Sequence, residues 1–411
     1  MLRRVLSCCA LLACVWNFAA TAWGQGRAVV FSQAGVQFGG DPAWEPQTDV
    51  LRLDNGRVIE RTMDLPFIPP NAKITTRINV IAAGDHWDRA GAIELVTPNG
   101  AVELHKFITG FGGTTQHTQD ISQLAPYLRN GPVTVRAFVD TWVQEAWQIS
   151  LMVQVQADAP DYGAMWNRSV FNDQDWRAGE FANDRRSHVV SIPTGLDKIT
   201  LNYLASGHAS DGSGGDEFVP RAHRIYIDGV KVFDETPWRT DGKDFRSVNP
   251  YSARWGDVWS SDLERSGWIP GDDVDPYQID VTQYLAPGRH RIEYEIPGIE
   301  PDEGDGYGYW RVSSYLTGFE SLAPTGDFTD DQRVDGLDFL AWQRGRGLDE
   351  QLALSHGDAN RDGHVTRADL DAWEAQWGTT AALSSVPEPA TISLFGIAVT
   401  ATNFTLFRRR R

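Results

Sequence analysis

The sequence predicts a mainly β protein: two antiparallel sandwiches in tandem, then a small all-α module built on two calcium-type loops. Three observations carry this. Apolar and polar residues alternate with a period of two through residues 28–320, no long 3.6-residue pattern interrupts them, and an acidic loop motif repeats within residues 327–378.

The strands follow from the alternation. Ile74, Ile78 and Val80 share one run, and Trp147, Ile149, Leu151, Val153 and Val155 alternate with polar or flexible neighbours in another. Ile199, Leu201 and Tyr203 form a third, Ile225 and Ile227 a fourth, and Ile292, Tyr294 and Ile296 a fifth. One apolar face per strand implies sheets wetted on the other face. Asp228-Gly229 and Pro287-Gly288 mark turns. The stretch Ala157-Asp158-Ala159-Pro160-Asp161 divides the run, giving domains at residues 27–158 and 159–320.

The ends carry sorting signals. Arg3 and Arg4 precede an apolar run and the small-residue site Ala20-Thr21-Ala22, which reads as a signal peptide over residues 1–26. All three cysteines, Cys8, Cys9 and Cys14, lie in that segment. The exported chain then has no thiol chemistry, disulfide framework or cysteine metal site. Residues 390–407 are uncharged and precede Arg408–Arg411, a length sufficient to span a bilayer. With Val386-Pro387-Glu388-Pro389 before them, residues 386–411 resemble a PEP-CTERM sorting tail. The resemblance implies export, transient membrane insertion, and final placement at the envelope surface or release. Without both ends, 31 basic and 54 acidic residues remain, a net charge of −23 that disfavours nucleic acid and suits neutral partners such as glycans.

The repeat predicts metal sites. Asp327, Asp331, Asp335, Asp338 and Trp342 recur 31 residues later as Asp358, Asp362, Thr366, Asp369 and Trp373. In the second copy Asp358, Asn360 and Asp362 occupy loop positions 1, 3 and 5, Gly363 takes the turn, His364 offers its carbonyl, and Asp369 closes the loop. Hard oxygen donors at alternating positions suit Ca²⁺. The first copy, with Asp327, Asp331 and Asp338, has Thr329 and Gln332 where a ligand and the turn glycine belong. Helices are expected over residues 337–344 and 368–376, with Phe339, Leu340, Trp342, Leu370 and Trp373 as core. Residues 326–379 resemble a type I dockerin module, which implies structural Ca²⁺ and a cohesin-like partner.

Four clusters mix aromatics, arginine and carboxylates: Asp85-His86-Trp87-Asp88-Arg89, Asp140-Thr141-Trp142, Gly214-Gly215-Asp216-Glu217 and Glu264-Arg265-Ser266-Gly267-Trp268. Ring faces beside carboxylates suit sugars, and carboxylates converging in a cleft suit acid–base chemistry. The alternative is a set of local ion pairs, each with a core tryptophan.

The ordered segments HWDRAGAIELV (86–96), HKFITGF (105–111), AFVDTW (137–142), SGHASDGSGGDEFVPRAHRIYIDG (206–229), ERSGWIPG (264–271) and GDGYGYWRVSSY (304–315) resemble the peptide-N-glycosidase F family. The resemblance implies two eight-stranded jelly rolls and hydrolysis, without a catalytic cofactor, of the amide joining N-acetylglucosamine to an Asn side chain of a glycoprotein or glycopeptide. Asp88 matches the principal catalytic aspartate, Glu217 the second essential carboxylate, and Arg265 the arginine before Gly-Trp. Trp87, Arg89 and Trp142 match site-lining residues, and Trp268 joins them as a substrate-binding candidate. Asp140 stands where the family has a third, important glutamate and is a catalytic candidate on that match, although its shorter side chain withdraws the carboxylate by about 1.5 Å. The family's cysteine-bridged loop is absent, with glycines at 212, 214 and 215 instead. Asp88 is expected to activate water, Arg265 and Arg89 to stabilise an oxyanion, and Glu217 to hold the sugar or protonate the leaving nitrogen. The competing readings are a non-catalytic carbohydrate-binding surface protein, a calcium-dependent adhesion protein, and a copper monooxygenase. The last is disfavoured because none of the nine histidines forms a His-x-His pair.

Overall fold

The structure is a computed structural model. It describes residues 25–39, 49–69, 72–129, 131–156, 163–180, 185–210, 215–304, 306–320, 324–329, 331, 333–348, 356–360 and 364–379. The sorting tail, the signal segment up to residue 24, the glycines at 212 and 214, and Asp362 lie outside them.

The first sandwich packs two antiparallel sheets. One runs in the order β1 (Gln25–Val36), β9 (Trp147–Gln156), β4 (Lys73–Ala82), β7 (Thr115–Asp120). The other runs β2 (Leu51–Leu53), β3 (Val58–Met63), β8 (Val133–Val139), β5 (Ala90–Thr97), β6 (Gly100–Ile108). The second sandwich has sheets β10 (Ala164–Arg177), β17 (Gly308–Phe319), β12 (Lys198–Ala209), β15 (Tyr277–Asp280) and β11 (Arg185–Ile192), β16 (Gly288–Glu295), β13 (His223–Ile227), β14 (Val230–Glu235). Most successive strands cross between sheets, the jelly-roll winding, while β2–β3, β5–β6 and β13–β14 pair as neighbours within one sheet. Among the described residues the second sandwich has eight strands. The first has nine, because the three-residue strand β2 pairs with β3 and extends that edge.

The alternating residues build the two cores. Trp147, Ile149, Leu151, Val153 and Val155 of β9 are buried against Ile74, Ile78 and Val80 of β4. Ile199, Leu201, Tyr203, Ile225, Ile227, Ile292, Tyr294 and Ile296 form the second core. The expectation of one wet face per sheet fails where the two sandwiches meet. In β5, β6, β12 and β17 the polar face is buried as well, including Glu94, Glu103, His105, Lys106, Asn202, Arg311 and Ser313. Polar alternation signals solvent only while nothing covers that face, and here the sandwiches cover each other. Several of these buried groups lie beside ionisable partners, which offsets part of their desolvation. Lys106 Nζ lies 3.2 Å from Glu103, and His105 Nδ1 lies 2.9 Å from Asp273 Oδ2 on the opposite domain.

Two short helices follow. Helix α1 (Gly336–Gly345) starts at a capping box between Asp335 and Asp338, and α2 (Arg367–Gln376) at the equivalent Thr366 and Asp369. Phe328, Trp342, Val365 and Leu370 form their core, with Phe339 and Trp373 packed on it. Leu340, expected in that core, is exposed. Phe339 and Trp342 are three residues apart and share the inner face; Leu340 is turned about 100° from Phe339. Among the described residues no helix is long and apolar enough to cross a membrane.

Candidate active site at the sandwich junction

The site is assembled from loop ends that the sheets hold in register. Asp88 lies in the connection between β4 and β5. Two residues on, Ala90 accepts a hydrogen bond from the Asp140 backbone N–H at 2.9 Å, so the chain leaving β8 runs beside the Asp88 loop. Asp85 fastens that loop from beneath. It is fully buried, its Oδ1 accepts from the Trp87 N–H at 3.1 Å, and its Oδ2 accepts from Arg89 Nε at 2.8 Å and Thr141 Oγ1 at 2.6 Å. One carboxylate thus fixes the backbone before Asp88, the arginine after it, and the residue between Asp140 and Trp142.

The second sandwich supplies the opposite wall. Glu217 follows the buried Asp216, which pairs with Arg221 and accepts from the Glu300 N–H at 3.0 Å. This strap lies so close to β12 that a Cβ on Gly207 would stand 2.5 Å from the Asp216 carbonyl oxygen and 2.7 Å from Ser266 Cβ, which requires glycine there. The Ser266 N–H donates to the Glu217 carbonyl at 3.0 Å and joins the strap to the Arg265 segment.

Arg265 connects the two walls. It is 1% exposed. Its Nε donates to Glu217 Oε1 at 3.0 Å, and its Nη2 lies 3.7 Å from Asp88 Oδ2 on the other sandwich. Its Nη1 donates to the carbonyls of Ser260 and Leu263, at 2.8 and 3.0 Å, and its Nη2 to Ser260 Oγ at 3.2 Å. The guanidinium lies over the rings of Trp268 and Phe218. Burial pushes the Asp88 carboxyl up to about 7; Arg265 opposes the rise, and the charge of Glu217 adds to it. Burial also raises Glu217, against the pull of Arg265. Two carboxylates of elevated pKa thus flank one buried arginine, the kind of environment in which functional acids are found.

The remaining candidates take three places. Trp87 is 41% exposed at the rim, edge-on to Tyr251 and Phe111. Asp140 and Trp142 form a neighbouring group around Arg57, whose Nη1 donates to Asp140 Oδ1 at 3.1 Å and whose guanidinium lies 4.6 Å from the Trp142 ring. Trp142 is 58% exposed, while Trp268 is 2% exposed beneath Arg265, its Nε1 donating to the Gly207 carbonyl at 2.7 Å. Trp268 therefore supports the arginine and offers no ring face to a ligand.

The metal candidates lie apart from this site, in the helical module. Asp338 and Asp369 are buried and accept hydrogen bonds from their own loops, at the backbone N–H groups of Thr329 and Asp335 and of Asn360 and Thr366. Asp358 is 2% exposed and its loop is all-oxygen in donor type, which fits a hard cation. Among the described residues no three His, Cys, Asp or Glu side chains converge as a metal site.

Sequence reading missed Arg57 and did not assign Asp85 its organising role. Asp85 had a signal, being two residues before Trp87 as an Asx turn requires. Arg57 had none, because it meets Asp140 only through the β3–β8 pairing.

Fold and site together define a class: a tandem jelly-roll protein with an acidic, arginine-bridged cluster at the domain junction. Family models described as peptide-N-glycosidase F, N terminal and C terminal, match residues 28–101 and 90–155, and residues 178–317, respectively. The chain belongs to the peptide-N-glycosidase F family. Among solved structures it is similar to PNGF-II, at 27% identity and a TM-score of 0.65, with 72% of this chain and 65% of that chain covered. It thus spans just under two thirds of PNGF-II. PNGase F, a glycosylasparaginase from Flavobacterium meningosepticum, shares the fold at 18% identity and a TM-score of 0.58, over 72% of this chain and 96% of that one. No curated protein sequence matches the chain.

Proposed function

We propose that this peptide-N-glycosidase-like protein is an exported amidase that cleaves the bond between N-acetylglucosamine and the Asn side chain of glycoproteins or glycopeptides. The carrying observation is Arg265, which holds Asp88 and Glu217, one from each sandwich, in a single buried cluster. Asp88 takes a proton from water as the water adds to the side-chain carbonyl. The C–N bond then breaks, Asn becomes Asp, and the sugar departs as a glycosylamine. Glu217, whose carboxyl burial raises against the pull of Arg265, is the group placed to pass a proton to the leaving nitrogen.

The geometry moves one role. Every nitrogen of Arg265 already has a protein partner, so Arg265 tunes the two carboxylates. Arg89 spends its Nε on Asp85, and among the described residues its Nη groups make no hydrogen bond, so Arg89 supplies the donors to the developing oxyanion. Trp87 and Trp142 offer ring faces to the sugar, and Asp140 a carboxylate to its hydroxyls. Export through the signal peptide and sorting tail places the enzyme at the envelope surface or outside. The helical module binds Ca²⁺ at the Asp358 loop and presents a face to a cohesin-like partner.

The test is glycan release from a denatured glycopeptide by the wild type and by Asp88→Asn. Release by the wild type alone supports the reading, and equal background release by both refutes it.

A further inference from the structure

A second pocket opens in the same junction, lined by Phe138, Arg136, Glu94, Gln174, Arg311 and Asn99, with a volume of about 400 Å³. That is the size of a small-ligand site. It lies along the strands that lead away from the candidate active site. Arg136 and Phe138 of β8 alternate with the core residues Val135, Ala137 and Val139, so they share the outer face with Asp140. At about 3.3 Å per residue, they stand roughly 7 and 13 Å from Asp140 along that face. On the opposite wall Tyr309 and Arg311 are two residues apart in β17. Burial raises the Tyr309 hydroxyl to about 12; Arg311 opposes the rise and the charge of Asp140 adds to it, so Tyr309 lies within electrostatic reach of both.

The polar groups of the pocket have unmet needs of both kinds. Arg311 is 3% exposed with its guanidinium 4.8 Å from the Phe138 ring, and its Nη2 has no hydrogen-bond partner among the described residues. Gln174 donates to Glu103 Oε1 at 3.3 Å and to Asn172, while its Oε1 is buried without a partner. An unmet donor and an unmet acceptor in one pocket are both costly. A hydroxyl satisfies either, because it donates and accepts. The full charges balance within the protein: Arg136 Nη2 donates to Glu60 at 2.8 Å, its Nη1 lies 3.6 Å from Glu94, and the charge of Arg311 also acts on Glu94. The chemistry therefore matches a neutral, hydroxyl-rich ligand with a C–H face for the Phe138 ring.

We infer that this pocket binds the outer sugars of the glycan, a neutral polyhydroxylated arm extending past Asp140 from the scissile linkage; the inference rests on the amidase reading for what occupies the first site. Binding of free oligosaccharide separates the two, since it needs no cleavage. Calorimetric titration of the full chain compares a long neutral oligosaccharide with the same glycan trimmed to its first two N-acetylglucosamine units. The long glycan is expected to bind about tenfold more tightly, the worth of one or two buried hydrogen bonds. Gln174→Leu, which removes the unmet acceptor, and Asn99→Trp, which fills the exposed mouth away from the buried network, each abolish that difference and leave the affinity of the trimmed glycan unchanged. Equal affinity of the wild type for the two glycans, or a difference that survives both substitutions, overturns the assignment and leaves the pocket to ordered water. Failure of the amidase reading appears instead in glycopeptide hydrolysis, whatever these titrations show.

Discussion

Asp88 and Arg265 meet at 3.7 Å although each belongs to a different sandwich. The site therefore exists only while the two jelly rolls are docked, and the buried polar faces of β5, β6, β12 and β17 are what dock them. Glu217, bound to the same guanidinium at 3.0 Å, makes the arginine the shared partner of two acids whose pKa values burial has raised.

Ionisation of Asp88 should govern both rate and stability. With its carboxyl at about 7, kcat/KM on a glycopeptide is expected to fall as pH drops through 7, because the protonated acid cannot accept a proton from water. Stability has the opposite sign. The folded pKa lies above the ordinary 3.8, so ionised Asp88 opposes folding; this cost is absent below about pH 4, grows toward pH 7, and is complete above it. Asp88→Asn is expected to abolish activity yet stabilise the protein by about 1–3 kcal/mol at pH 8 and by little at pH 4, read by urea denaturation at the two pH values.

Substitutions of Arg265 separate charge from geometry. Arg265→Lys keeps the charge but loses the fork that reaches Glu217, Ser260 and Leu263 together, so kcat is expected to fall by about 10²-fold. Arg265→Gln also removes the charge that holds Asp88 down, and the acidic limb of the pH–rate profile is expected to move above 7. A limb left in place would show that Arg265 does not tune Asp88.

Asp85 acts at one remove. Asp85→Asn places an amide NH2 either against Arg89 Nε and Thr141 Oγ1, which both donate to Oδ2, or against the Trp87 N–H, which donates to Oδ1. The expected result is a loss of about 2 kcal/mol of stability, with kcat falling ten- to a hundredfold and KM changing little. A stability loss at unchanged kcat would make Asp85 a purely structural residue.

Calcium should matter to the distal module alone. Chelation, or Asp358→Ala, is expected to lower the melting temperature of the helical module, followed by the fluorescence of Trp342 and Trp373 in its core, without altering amidase rates. A melting curve indifferent to Ca²⁺ and chelator would remove the metal from this module.

Both cores were readable because strand alternation reports one fact per residue, whether its side chain meets its own sheet's partner. Trp147 and Tyr203 were legible for that reason. Alternation does not say what covers the other face, so the burial of Glu103, Lys106 and Arg311 by a second sandwich was not legible in it. The same gap explains Trp268. Its motif places it beside Arg265, but only the packing shows that it lies beneath the guanidinium with no free ring face. Asp88, Glu217 and Arg265 were legible as separate clusters, and their convergence depended on the docking of the two domains.

The chemistry itself is most directly tested by mass spectrometry of a denatured glycopeptide treated in water enriched in oxygen-18. The expected outcome is a peptide in which the glycosylated Asn has become Asp carrying one oxygen-18, with the glycan leaving as a glycosylamine, and none of this with Asp88→Asn. A peptide that keeps its sugar-bearing Asn intact while the protein binds the glycan would contradict the amidase and leave a carbohydrate-binding protein.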